Sequence, residues 1–151
     1  MRDGRFEDVT SVAGAGLAAL HSSRGAATAD LYNGGRLAVA VSELHERPSL
    51  LVPEGPVSNH WIGVQLIGTK SNRDGIGARV EAVAGALRQI DEVRSGGSYL
   101  SQSDLRVHFG LGAATRVDRV TVHWPSGTVR GIPADRHIVI EEGSGNWRKR
   151  K

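Results

Sequence analysis

The chain predicts an all-β fold, a β-sandwich or a barrel, and three observations carry that expectation. Apolar residues recur with a period of two rather than 3.6, in runs of three or four strand positions. Each run is closed by Gly, Pro, Ser or Asn, the punctuation of short half-buried strands. And 20 glycines in 151 residues imply frequent turns, against only 5% aromatic residues to build any one large core layer.

The runs follow in order. Leu50-Leu51-Val52 is a short apolar strand between Pro48 and Pro53. Ile62, Val64 and Leu66 alternate with Gly63 and Gln65; Leu105, Val107 and Phe109 alternate with Arg106 and His108. Val120, Val122 and Trp124 alternate with Thr121 and His123, and Ile138 to Ile140 closes the series. The stretch from Ala82 to Ile90 reads equally as a short helix or as strand–turn–strand. A hairpin is expected from Val120 to Ile132, because Pro125-Ser126-Gly127 supplies a preset φ and a glycine where a three-residue connection needs them.

The formal charge of +3 is no sign of nucleic-acid binding. Arg148-Lys149-Arg150-Lys151 contribute +4, so the body carries +3 less +4, or −1; a nucleic-acid footprint needs a basic face on the fold. No apolar run approaches the roughly 18 residues of a membrane span. The first eight residues contain no apolar h-region, so no signal peptide is expected at this end. Absence of cysteine excludes disulfides and thiolate metal sites.

The character of the chain changes across Glu43-Leu44-His45-Glu46-Arg47-Pro48 and Pro53-Glu54-Gly55-Pro56, and the division is placed near Ser58. Three parts are expected: 1–58, 59–143, and a basic tail at 144–151. The second carries Asn59-His60-Trp61-Ile62, Ser71-Asn72-Arg73-Asp74-Gly75-Ile76-Gly77-Ala78-Arg79-Val80 and Ser95-Gly96-Gly97-Ser98-Tyr99-Leu100-Ser101-Gln102, then His108-Phe109-Gly110-Leu111-Gly112 and Trp124-Pro125-Ser126-Gly127. In this order and spacing the five segments closely resemble the ASPIC/UnbV domain family.

Members of that family, cartilage acidic protein-like proteins among them, carry the module after β-propeller repeats of the FG-GAP/VCBS kind in secreted proteins. The resemblance therefore implies a non-catalytic, extracellular-type interaction or scaffold module with a protein or glycan as partner. The family's association with enediyne gene clusters supplies the alternative, an accessory or ligand-carrier protein in specialised metabolism; a truncated remnant is the third. Residues 1–58 look like a remnant of a last propeller blade, and upstream repeats are expected in full-length relatives. In such repeats an Asp-rich loop binds calcium through convergent oxygens. Here Asp30 keeps the first position, but Tyr32, Gly34 and Ala38 stand at the others, so a structural turn and no calcium are expected.

The six histidines show no His-Glu-x-x-His or i, i+4 pairing, so no metal site is expected; His108 and His123 are read as solvent-face or loop-packing residues. Ser98 and Ser101 lie near glycines, but no Gly-x-Ser-x-Gly elbow surrounds them. Gly14-Ala15-Gly16-Leu17-Ala18-Ala19 lacks the βαβ context of a dinucleotide fingerprint. No catalytic residue is expected. The candidate recognition surface joins Asn72, Arg73 and Asp74 to Arg94, Tyr99, Ser101 and Gln102, a set of donors, a planar cation and an aromatic face that suits a polar polymer or a protein edge. The competing reading is that these side chains bond and brace their own loops.

Overall fold

The computed structural model describes residues 7–56, 58–124, 132–133, 135–144 and 146–150. The architecture is all-β. In the N-terminal part a single 3₁₀ turn (Thr10–Val12) and one helical turn, α1 (Ala15–Ala18), precede β1 (Ser23–Ala29), β2 (Ala38–Glu43) and β3 (Ser49–Leu51). These strands form an antiparallel sheet in the order β1-β2-β3.

From residue 60 onward the strands are β4 (His60–Ile67), β5 (Arg79–Ala84), β6 (Leu87–Glu92), β7 (Val107–Gly112), β8 (Arg116–Val117), β9 (Arg119–His123), β10 (Ile132–Pro133), β11 (Arg136–Glu141) and β12 (Trp147–Lys149). One sheet has the order β12-β11-β4-β7 and a second β6-β5-β9. The β4–β11 pair is parallel and its neighbours antiparallel. The ambiguous stretch from Ala82 to Ile90 is strand–turn–strand, with Gly85 at φ +58° in the turn. That left-handed φ suits a residue without a Cβ.

The alternation read from the sequence sets which face is buried. Ile62, Val64 and Leu66 of β4 align with Phe109 and Val107 of β7 and with Ile138 and Ile140 of β11. From the second sheet Val80, Ala82 and Ala84 of β5 and Val120 and Val122 of β9 join the same cluster. Two sheets thus enclose one core, and each fully buried Ile or Val contributes about 1.5–3 kcal/mol. Every residue of that core lies between Ile62 and Ile140, so 1–58 is not needed to fill it. Trp124 is 7% exposed and belongs to the core.

The turn Pro125-Ser126-Gly127 and the strand Thr128-Val129-Arg130 of the expected hairpin lie outside the described residues. On its near side β9 pairs with β5; at its far end Ile132 pairs with Val117. The C-terminal segment read as a basic tail is not wholly a free end. Trp147–Lys149 adds β12 to β11, Trp147 packs on the core, and the side chains of Arg148 and Lys149 stay exposed. An apolar residue just before the basic run anchors it. Among the described residues no helix is long and apolar enough to cross a membrane.

Candidate functional site

The outer face of the β4–β7–β11 sheet carries the residues left over by the alternation: Trp61, Gly63, His108 and His137. Gly63 lies between His108 and His137 in one row across the three strands. It has no side chain, and the His137 ring occupies the space; a Cβ at Gly63 would collide with His137 Nδ1. Trp61 stacks on His108 with ring centroids 5.7 Å apart and planes 7° from parallel, and lies against His137 at 4.8 Å.

The loop between β1 and β2 closes over this row. Asp30 is 3% exposed, and its carboxylate accepts N–H bonds from Gly34 at 3.0 Å and Gly35 at 2.7 Å. His137 Nε2 lies 2.9 Å from Asp30 Oδ2. A carboxylate only accepts, so Nε2 carries the proton and donates it. Gly35, at φ +82°, rests its Cα on the Trp61 indole, where a Cβ would collide. Its carbonyl lies 3.0 Å from His108 Nε2. Arg106 binds the loop from the other side, donating to Asn33 Oδ1 (2.6 Å), to the Asp30 carbonyl (3.0 Å) and to Asp104 (2.6 Å).

Burial raises the Asp30 carboxyl, but the N–H of Gly35, the His137 ring and the N–H of Gly34 outweigh it and hold the group below its ordinary value. Burial also holds the His137 imidazole below its usual value; Asp30 opposes this and the Arg106 guanidinium adds to it. His108 is likewise held down, chiefly by burial. His137 Nδ1 is buried with no partner among the described residues. Protonating it would enclose an unpaired N–H⁺, which disfavours the charged ring. An Asp–His pair in an open cleft would suggest acid–base work. Here the side chains are 3% and 6% exposed, and the pair joins two parts of the fold.

The sequence-predicted residues fall in two places. Asn72 turns its own loop, with Oδ1 accepting from Asp74 N at 3.0 Å and Ile76 N at 3.4 Å. The Arg73 carbonyl accepts from Gly68 N, and the Arg73 and Asp74 residues are exposed. The loop is wound around Glu142, whose Oε2 accepts the successive N–H groups of Thr69, Lys70 and Ser71 at 2.7–2.8 Å, a backbone nest filled by the chain's own anion.

The second group borders β1. Arg94 donates to Asp91 at 3.3 Å, and Gln102 bonds Gly96 N and the carbonyls of Arg94 and Ser103. Ser101 Oγ donates to the Tyr99 carbonyl, and Arg24 of β1 sits 5.0 Å above the exposed Tyr99 ring. Arg94, Tyr99, Ser101 and Gln102 are thus gathered in one loop; no hydrogen bond or ion pair joins them to Asn72, Arg73 or Asp74 among the described residues. His123 is exposed on β9, and His108 packs under a loop. No group of three His, Asp or Glu among the described residues is placed to hold a metal ion.

Sequence reasoning passed over His137, Arg106, Trp61 and Glu142. One signal for the first three was present. Gly63 interrupts a strand of otherwise large residues, and a strand glycine often marks close approach of another group. No curated protein matches the chain. A family model described as ASPIC and UnbV matches residues 68–146, from the loop around Glu142 to the residue before β12. That span is more than half the chain and takes in β5 through β11, and on it the chain belongs to the ASPIC and UnbV family.

Proposed function

We propose that the chain is a non-catalytic interaction or scaffold module of secreted or cell-surface type, in which a degenerate FG-GAP/VCBS-like blade at 1–58 is locked onto the ASPIC/UnbV sandwich to present one surface to a protein or glycan. The observation that carries this reading is the use made of the titratable groups. Asp30 and His137, the pair nearest to acid–base machinery, are bonded to each other and to the backbone inside the junction, with side chains 3% and 6% exposed. General acid–base work needs such a group within reach of a substrate proton.

A second observation supports the blade. Val12, Leu17, Leu50 and Val52 are 40% or more exposed, and with Leu37, Val39 and Leu51 they line an open apolar groove on the N-terminal part. A blade of a larger assembly buries such a face against neighbouring blades. The test is a glycan array and a protein pull-down followed by mass spectrometry of the recovered ligand. Recovery of chemically unchanged ligand is the expected result; any bond made or broken by the purified chain overturns the non-catalytic reading.

A further inference from the structure

We infer that the crevice between β1 and the segment 91–108 is a binding site for a neutral saccharide unit, an assignment that rests on the interaction-module reading above. The crevice measures about 280 Å³, near the lower end of the roughly 300–1,000 Å³ of small-molecule sites. That size suits one sugar ring. It lies at the junction of the two parts of the fold, where ligand sites tend to form.

The lining is built by an unusual treatment of a strand edge. Gly25 N bonds Ser42 Oγ on the β2 side, so the alternate residues Ala26 and Thr28 turn their N–H and C=O groups outward. Among the described residues no strand pairs there. Instead Ala26 N donates to Ser98 Oγ and Thr28 N to Ser103 Oγ, each at 3.1 Å, while Asp104 N donates to the Thr28 carbonyl at 2.8 Å. Each serine oxygen accepts a bond, which orients it, and its own O–H has no acceptor among the described residues. Two residues along a strand set these hydroxyls roughly 7 Å apart.

Asp91 and Arg94 complete the set. Asp91 Oδ1 accepts from Glu92 N and from Arg94; Oδ2 has no donor among the described residues. Arg94 spends one of its N–H groups on that bond. The crevice is therefore lined by two serine hydroxyls, a carboxylate and a guanidinium fork. Sugar hydroxyls both donate and accept, and neighbouring hydroxyls are satisfied by an acceptor on one side and donors on the other. Charge decides against an anionic ligand: Asp91, Glu92 and Asp104 face Arg94 and Arg106 in the lining, leaving one negative charge in excess. An extended peptide would need the edge N–H groups that the two serines already hold.

The test is saturation-transfer NMR on the full chain with glucose, galactose, mannose and N-acetylglucosamine, and with glucuronate as the anionic counterpart. At least one neutral sugar should bind, and glucuronate should bind more weakly than glucose. Asp91→Asn and Arg94→Gln should each weaken binding about tenfold. Neither should move the melting temperature, since their side chains are 44% and 67% exposed, the pair between them is a surface one, and asparagine keeps an Oδ1 acceptor for the Glu92 N–H. Absence of transfer from all four neutral sugars, tighter binding of glucuronate, or unchanged binding in both variants overturns the site. Chemical conversion of a bound sugar would overturn the non-catalytic reading and leave the site standing.

Discussion

Asp30 and His137 are 107 residues apart in the chain and share a hydrogen bond of 2.9 Å inside the fold. This bond, with the Gly34 and Gly35 N–H groups on the same carboxylate, fixes the β1–β2 loop to the outer face of the β4–β7–β11 sheet. Asp30→Ala removes the acceptor, leaves two backbone N–H groups without partners and takes the carboxylate from the buried His137 ring. The expected cost is about 3 kcal/mol, read as a lower urea midpoint. Because the cluster between the two sheets takes none of the described residues of 1–58, amide exchange should rise first in β1–β3 while the sandwich stays protected. Simultaneous loss of protection in both parts would show one cooperative unit instead.

The same junction makes stability depend on pH. Burial holds His137 and His108 below the ordinary imidazole value of 6.5, so near and below pH 6.5 the unfolded chain binds protons that the folded chain refuses. Their contribution is present above that value and lost as pH falls through it. Asp30 is held below 3.8, so its contribution is present above about that value and is lost as pH falls further. The melting temperature should decline from pH 7 to pH 5 and again below pH 4. A flat profile between pH 7 and 5 would contradict the buried neutral imidazoles.

Gly63→Ala places a methyl group where the His137 ring sits. Overpacking of this kind costs about 1–3 kcal/mol. The cause can be isolated with His137→Ala, which empties the space: in that background Gly63→Ala should be close to neutral. Two additive losses would mean that Gly63 is required for some reason other than the ring.

How much of this was legible follows from where the physics resides. The strands were readable because burial on one face imposes a period of two, and Ile62, Val64, Leu66, Phe109 and Val122 all face the core as their alternation implied. The junction was not, because a contact between Asp30 and His137 leaves no local pattern at either residue. Glu142 escaped for the same reason: an anion nest is made of backbone N–H groups, and Thr69-Lys70-Ser71 has no composition that announces one. The residues singled out at 72–74 and 94–102 were visible as polar loops, but sequence offers no means of telling a side chain that bonds its own loop from one that faces a partner.

Trp124→Ala should cost about 3–5 kcal/mol, the range for truncating a buried aromatic. Trp124 contributes the largest side chain of the core and follows directly on β9. A urea midpoint equal to that of the parent would contradict its burial.

Glu142 supplies the last test, because its two possible replacements separate charge from geometry. Its Oε2 accepts three successive N–H groups and its Oε1 accepts the Ser71 hydroxyl at 2.7 Å. Glu142→Gln keeps an oxygen at the nest but removes the charge that strengthens these bonds, at a cost of about 1–3 kcal/mol. Glu142→Ala empties the nest, leaves three adjacent donors without an acceptor, and should cost more than the glutamine change. Since Thr69 to Ser71 sit between β4 and the Asn72 turn, the loosened loop should show faster exchange at residues 69–71 before any change in β4 or β11. Added phosphate or acetate should partly restore the alanine variant, because an empty nest accepts a free anion. If amides 69–71 exchange equally slowly in the parent and in Glu142→Ala, the loop is held by its own turns and not by the carboxylate.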